Sequence, residues 1–555
     1  MIEYFTYEYG HTILNIMKYF NLVCLSVIVL LLLYTALRKN NHKVDIDNKL
    51  IYIGLFLVIA VAIVLRIYRL DTIPIDIAPD EASVYYDALC LANYGTNRWG
   101  EINAVYFNTW EIAGQSPAMA NIASVFLKIF GNSLFVFRLS QAVPAIITVV
   151  LAFFIGKKLF TPFVGLVASA VLAVSPWHIM MSRWALDCNM SAFAVTAAIC
   201  AFIYSFNNDG SMNRFFYLFS VMAGFSLYTY ATTNVMMFVT IVLLYFYILI
   251  KKRINWRIFI PANILLFVIA APMMYFFAVN YLGLPPLETD FLTIPYLRGF
   301  RSDDVSGDII TNLIASLSHI YKTGDRVVFY PQFSIMYVIS LPFFIFGLLK
   351  AIRKHKETYV LLFWLLGSMV QLGVVKNSGV WGIVNFAVVL PYFIAYSIND
   401  VIANKKGTAF IISAMYAASL LMFIYTYVAV LPEESGVKIG AGTKDAIQFA
   451  QEIDAEKIYF TGYNGTSDAF IFSALNNQHS PEEYREKLIV NPEMDEWQYI
   501  KQYDNISFYE DLYSHSTDEN VAFILFNYLD NIQYFQDMGY SIKTFRSFSV
   551  AYKAQ

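Results

Sequence analysis

The sequence predicts an all-α polytopic membrane protein with a small C-terminal α/β domain outside the membrane, and three observations predict it. Hydrophobic residues make up 58% of the 555-residue chain and charged residues 14%, with a mean hydropathy of +0.53, outside the soluble globular range. The apolar residues gather into runs of about 20, the length that crosses a bilayer as a helix. From Pro432 to Gln555 the composition turns toward Asp, Glu, Asn and Gln, and a segment of that length can bury its own core.

About twelve segments meet the length criterion: residues 17–37, 50–68, 134–156, 162–180, 189–207, 215–231, 233–250, 256–278, 334–351, 358–375, 382–399 and 408–431. The first is too long for a signal-peptide core and lacks a small-residue cleavage site, so it is read as retained. The tightest turn falls at YTYATTNV, Tyr228–Val235. Basic residues sit after alternate spans: Arg38, Lys39, Lys43 and Lys49, then Lys157 and Lys158, then Lys251, Lys252, Arg253 and Arg257. Lys350, Arg353, Lys354 and Lys356, and then Lys405 and Lys406, continue the pattern. An even number of spans with the N-terminus outside makes every cluster cytoplasmic.

That topology predicts a transmembrane domain, residues 1–431, with large outer loops at about 70–133 and 279–333, and a second extracytoplasmic domain, 432–555. In the first loop, Tyr85, Ala88, Leu89 and Ala92 recur at helical spacing after Asp80. Ser116 and Pro117 open a second helix that carries Met119, Ile122, Ala123, Phe126 and Phe130 on one face and stops at Gly131. Both are expected to lie on the membrane surface. In the tail, TKDAIQFAQEID reads as a capped amphipathic helix, KIYFTG and VAFILF as buried strands, and YSIKTFRSFSVAY as a terminal strand pair.

The formal net charge is −3 and no basic tract stands out, which speaks against a nucleic-acid partner. Cys24, Cys90, Cys188 and Cys200 lack metal-ligand spacing, and no His or Cys pattern proposes a metal. No cofactor is expected. The tail has no phosphate-binding glycine motif and no nucleophile elbow, so it is expected to bind, dock or stabilise.

Chemistry is expected where charge meets the predicted outer ends of spans, because charge there must be hydrated, paired or used. Asp80 and Glu81 follow Pro79. Asp80 at that position also reads as an ordinary helix N-cap. Arg138 opens the third span; Arg183 and Asp187 lie between the fourth and fifth. Singly, each Arg also reads as an interfacial anchor. Together, two carboxylate sites and two guanidinium groups at one depth suit transfer of a group from a lipid phosphate. Arg holds phosphate oxygens in a bidentate geometry, and a carboxylate takes the proton of an incoming hydroxyl. A phosphate leaving group needs little protonation, so one displacement with inversion needs one catalytic carboxylate, in contrast to the two of hydrolases. His178 reads as an interfacial hydrogen-bonded residue. His319, Tyr321, Lys322, Asp325 and Arg326 read either as a solvated loop face or as a lining for sugar or acceptor.

PDEASVYYDA, FGNSLFVFRLSQAVPAI and SPWHIMMSRWALDCNMSAF, in this order, resemble the segments of bacterial GT-C-fold membrane glycosyltransferases, family 39-like, the branch of the protein O-mannosyltransferases and the lipid A aminoarabinose transferase. KTGDRVVFYP and VNFAVVLPYFIAYSI extend the resemblance into the second large loop and a late span. The resemblance implies a GT-C fold and an inverting enzyme that moves a sugar from a polyprenyl-phosphate donor to a protein, lipid or cell-envelope glycan on the outer face. It implies Asp80 as catalytic base beside Glu81, and Arg138, Arg183 and Asp187 around the donor phosphate. Many relatives carry an Arg near the position of Asn385, which this chain lacks, so Lys376, Arg301 or Arg326 is expected to supply part of that contact. Two other readings share these features: a flippase of lipid-linked sugars, and a GT-C polymerase or ligase that uses a diphosphate donor.

Overall fold

The computed structural model describes residues 2–38, 44, 46–109, 113–297, 308–318, 333, 335–354, 358–376, 382–430, 440–453, 455–461, 469–490, 500–508, 511–516 and 520–553. The chain divides into two compact units. One comprises Met1–Leu70, Leu139–Met274 and Ser302–Val430; the other comprises Asp71–Arg138, Tyr275–Arg301 and Leu431–Gln555.

The first unit is built of apolar helices. Among the described residues of the whole chain, eight helices are long and apolar enough to cross a membrane. The remaining expected spans are helical but shorter, among them Phe215–Ser226 and Tyr359–Val374. The expected span 162–180 is two helices, Pro162–Ala173 and Pro176–Met181. The cause is local: Ser175 caps the second helix and Pro176 lacks the N–H that would continue the first. The turn at Tyr228–Val235 is where expected, between Phe215–Ser226 and Thr233–Ile250.

Burial separates central from peripheral helices. In the segment Val384–Asn404, 83% of the apolar window is buried, against 22% in Asn48–Ile67, whose Phe56 and Leu57 are exposed in the manner of a lipid-facing surface. Close helix contacts rely on glycine. A Cβ on Gly347 would sit 1.9 Å from the Phe393 carbonyl oxygen, and one on Gly165 would sit 2.4 Å from that of Phe153.

The second unit combines the first large loop with the tail. A seven-stranded mixed sheet runs, edge to edge, Ser541–Phe545, Phe548–Tyr552, Val521–Phe526, Lys457–Phe460, Ile506–Phe508, Ile500–Tyr503, Leu488–Val490. Lys457–Phe460 pairs in parallel with both of its neighbours and the other ladders are antiparallel. Val521–Phe526 is buried at every position, as a strand covered on both faces must be. Tyr459, Phe523, Leu525, Phe535 and Tyr540 form a core cluster with it. The terminal hairpin turns at Arg546 and Ser547, with Arg546 in the left-handed region at φ 50°. Thr443–Glu452 is the expected helix, but its N-cap is Gly442, with no side-chain cap bond.

The tail shares its packing with the first loop. The Tyr86 hydroxyl donates to the His479 carbonyl at 2.8 Å, and Arg485 donates to the Trp99 carbonyl at 2.8 Å. The Tyr484 ring lies 5.5 Å from that of Tyr86 and 5.3 Å from that of Trp99.

The helix expected after Asp80 is a core element of the second unit. Pro79–Tyr94 buries every residue from Glu81 to Cys90. Its polar positions are paired inside the fold. The Arg98 guanidinium donates from Nε and Nη2 to the two Asp87 carboxylate oxygens, at 3.0 and 2.7 Å, and from Nη2 to the Ser83 carbonyl at 2.7 Å. Arg98 and Asp87 are both fully buried. Removing one member strands a buried charge, so Arg98→Ala should cost about 3–5 kcal/mol, read as a lower unfolding midpoint of the purified chain. The second loop helix, Ala118–Phe130, buries Met119, Ala123 and Leu127 and exposes Val125, Ile129 and Phe130.

Candidate active site

Asp80 and Glu81 share a helix start and have opposite surroundings. The Pro79–Tyr94 helix is capped by Ala78, with Pro79 in its first turn, so Asp80 stands inside the helix and is not its N-cap. Asp80 is exposed, whereas Glu81 is fully buried. The Glu81 carboxylate accepts from Arg138 Nε at 2.8 Å and from Nη2 at 2.7 Å, a bidentate pair 57 residues apart in sequence. Arg138 also donates to the carbonyls of Pro74, at 3.0 Å, and Asp76. The guanidinium expected to face a lipid phosphate is thus bound to protein oxygens in this structure. It ties the segment before the helix to the helix itself, which fixes the backbone that carries Asp80.

Asp76 lies at the centre of that segment, in the left-handed region at φ 59°. Its carboxylate accepts from the Gly442 amide at 2.6 Å and from the Ile77 amide at 2.9 Å. Burial pushes its pKa above the usual carboxylate range, against those two bonds and Lys444. A carboxyl with a raised folded pKa favours the folded state most when protonated, and this contribution is lost as pH rises through the ordinary Asp range to the raised value. Asp76→Asn, which keeps an acceptor, should therefore flatten the fall in unfolding midpoint over that window. A pH titration of stability in the two proteins reads this.

Arg183 and Asp187 belong to the first unit. Arg183 is buried and donates to the carbonyls of Leu65, Tyr68 and Arg69 at 3.0, 2.7 and 3.1 Å, where the Asn48–Ile67 helix ends. Asp187 starts the helix Asp187–Tyr204 and accepts from the Cys188 amide at 2.7 Å. Arg326 lies outside the described residues, as do Arg301 and His319, Tyr321, Lys322 and Asp325. Lys376 is described and exposed. Asn385 sits in a neutral network, donating to Thr233 Oγ1 at 3.0 Å and to Gln371 Oε1 at 3.2 Å.

The sequence reading missed Arg66. It is fully buried in the Asn48–Ile67 helix, donating to the carbonyls of Ala62, Leu172 and Ala173 and, at 2.6 Å, to His178 Nδ1. Arg has no acceptor, so that bond puts the ring proton of His178 on Nε2. An ionisable residue inside a membrane-spanning helix marks a functional position by default. The signal was in the sequence, as a cation within the apolar run rather than after it. All four cysteines are free and buried.

Residues 114–276 match the family model described as dolichyl-phosphate-mannose-protein mannosyltransferase. Among solved structures, ArnT from Cupriavidus metallidurans bound to undecaprenyl phosphate is similar over 90% of this chain and 97% of its own, with 12% identity and a TM-score of 0.57. The chain has the GT-C fold. Apo ArnT gives the same coverage with 13% identity and a TM-score of 0.55. The archaeal oligosaccharyltransferase AglB from Archaeoglobus fulgidus is similar over 76% of this chain and 59% of its own, at 12% identity and a TM-score of 0.46. No curated protein sequence matches the chain. The family-model match lies within residues 114–276, and over the rest of the chain the likeness is one of fold.

Proposed function

We propose that this GT-C chain is an inverting glycosyltransferase that moves a sugar from a polyprenyl-phosphate donor to a hydroxyl-bearing acceptor on the outer face of the membrane. The observation that carries the mechanism is the contrast between exposed Asp80 and buried, Arg138-bound Glu81. Two carboxylates whose environments differ this much take different roles. Asp80 is the base that removes the acceptor proton. Glu81 and Arg138 are positioning residues that hold the Asp80 backbone.

In the step itself, the acceptor oxygen forms a bond to the anomeric carbon and the bond from that carbon to the phosphate oxygen breaks. The phosphate leaves with the electron pair, and the acceptor proton passes to Asp80. Polyprenyl phosphate is the second product. The bound ligand of ArnT, undecaprenyl phosphate, supports a donor of this class. Arg183, Asp187 and Arg326 serve the donor phosphate and sugar in this reading, with no cofactor. Arg183→Ala should raise the donor concentration needed for half-maximal transfer. Unchanged donor dependence would remove Arg183 from the site.

The reading separates from a flippase and from a diphosphate-dependent ligase in one experiment. Purified protein in liposomes is given radiolabelled polyprenyl monophosphate sugars or their diphosphate counterparts, together with a membrane acceptor fraction. Label should leave the monophosphate donor and appear in acceptor. Donor that crosses the bilayer intact, or consumption of diphosphate donors alone, would overturn the reading.

A further inference from the structure

The second unit holds a cleft of about 710 Å³, within the range of small-molecule sites. Most such sites are lined by apolar groups; this one is polar. Lys444, Gln448, Gln451 and Glu452 line it from one helix, and Asn476, Asn477 and Gln478 from the end of another. Asp71, Thr72 and Asp76 line it from the segment that leads to Asp80. Four carboxyl residues, Asp71, Asp76, Asp445 and Glu452, face two cations, Lys444 and Arg546, so the formal balance of the lining is −2. That balance disfavours a phosphate-rich or acidic ligand.

The lining both donates and accepts hydrogen bonds. Gln448 Nε2 donates to Glu452, Gln451 Nε2 to Ser473 and Asn476 Nδ2 to the Lys444 carbonyl. Each of these side-chain amides keeps a second N–H, Lys444 and Arg546 add donors, and the amide and carboxylate oxygens accept. A complementary ligand both donates and accepts, as the hydroxyls of a sugar chain do. The cleft meets the catalytic helix directly at Tyr85 and is tied to its start through Asp76. The Asp76 side chain is part of its wall, and the Asp76 carbonyl accepts from Arg138, the partner of Glu81.

We propose that this cleft is the acceptor subsite, and that the acceptor is a hydroxyl-rich oligosaccharide without acid groups. The inference rests on the transferase reading above and names its acceptor class. The test is binding of the full-length purified chain to an array of neutral oligosaccharides (chitotetraose, cellotetraose, maltotetraose and mannotetraose) beside oligogalacturonides. Gln448 and Asn477 are exposed, and Ala is a good helix former, so Gln448→Ala with Asn477→Ala should fold. Glu452→Gln, also exposed, keeps shape and removes one charge.

At least one neutral glycan should bind, and the double variant should weaken it by roughly tenfold, the scale of one or two lost hydrogen bonds, with Glu452→Gln weakening it less. Three results would overturn the proposal: no glycan bound, acidic glycans alone bound, or neutral binding equal in wild type and both variants. The readout uses neither donor nor turnover, so its failure leaves donor consumption standing, and failed donor consumption leaves glycan binding standing.

Discussion

Arg138→Ala should lower both the yield of folded protein and its unfolding midpoint. The guanidinium and the Glu81 carboxylate are both fully buried, and removing one side leaves an ion out of water without a counter-charge, a loss of about 3–5 kcal/mol. That is a large part of the roughly 5–15 kcal/mol that holds a typical domain together. Two further bonds, to the carbonyls of Pro74 and Asp76, vanish with it. Arg138→Lys should recover only part of the loss, because an ammonium cannot span two carboxylate oxygens and two carbonyls in one plane. The check is the yield of monodisperse protein in detergent and its unfolding midpoint. An Arg138→Ala protein as stable as wild type would show that the pair does not hold this region.

Asp80→Asn should behave in the opposite way, with normal folding and a large loss of rate. Asp80 is exposed at the second position of its helix, and Asn matches its shape, so the variant should fold. An amide cannot accept the acceptor proton, and loss of a general base typically lowers rates by about 10²–10⁴-fold. Asp80→Glu should retain part of the rate, because the longer carboxylate keeps the chemistry and shifts its position. The Glu81–Arg138 pair and Asp80 should thus be separable: loss of the first is expected to weaken the fold around the site, and loss of the second to slow the reaction.

Much of this was legible in the sequence, and what was hidden has a physical cause. Apolar run length located eight helices, among the described residues, that are long enough to cross a membrane, and overstated the length of the other expected spans. The break at Ser175 and Pro176 was written in cap chemistry but was outweighed by continuous hydropathy. The strands Lys457–Phe460 and Val521–Phe526 were apolar runs bounded by polar residues, and both form. The short strands Ile500–Tyr503 and Ile506–Phe508 gave no such signal.

Within the candidate site, Asp80, Glu81 and Arg138 stood out as charges beside apolar runs. That Glu81 and Arg138 would bond to each other was not readable, because pairing across 57 residues is a tertiary fact. The pairing of Asp87 with Arg98 was hidden for the same reason. Each hides its partner's charge, and only together can they be buried. The Pro79–Tyr94 helix is therefore more deeply packed than its apolar spacing alone indicated.

The most direct test of the central claim is single-turnover release of polyprenyl phosphate from a radiolabelled polyprenyl-phosphate sugar, compared between wild type and an equally folded Asp80→Asn protein in the presence of acceptor. The account predicts release coupled to labelled product in the wild type and a rate lower by about 10²–10⁴-fold in the variant. Release at the same rate in both proteins would contradict it.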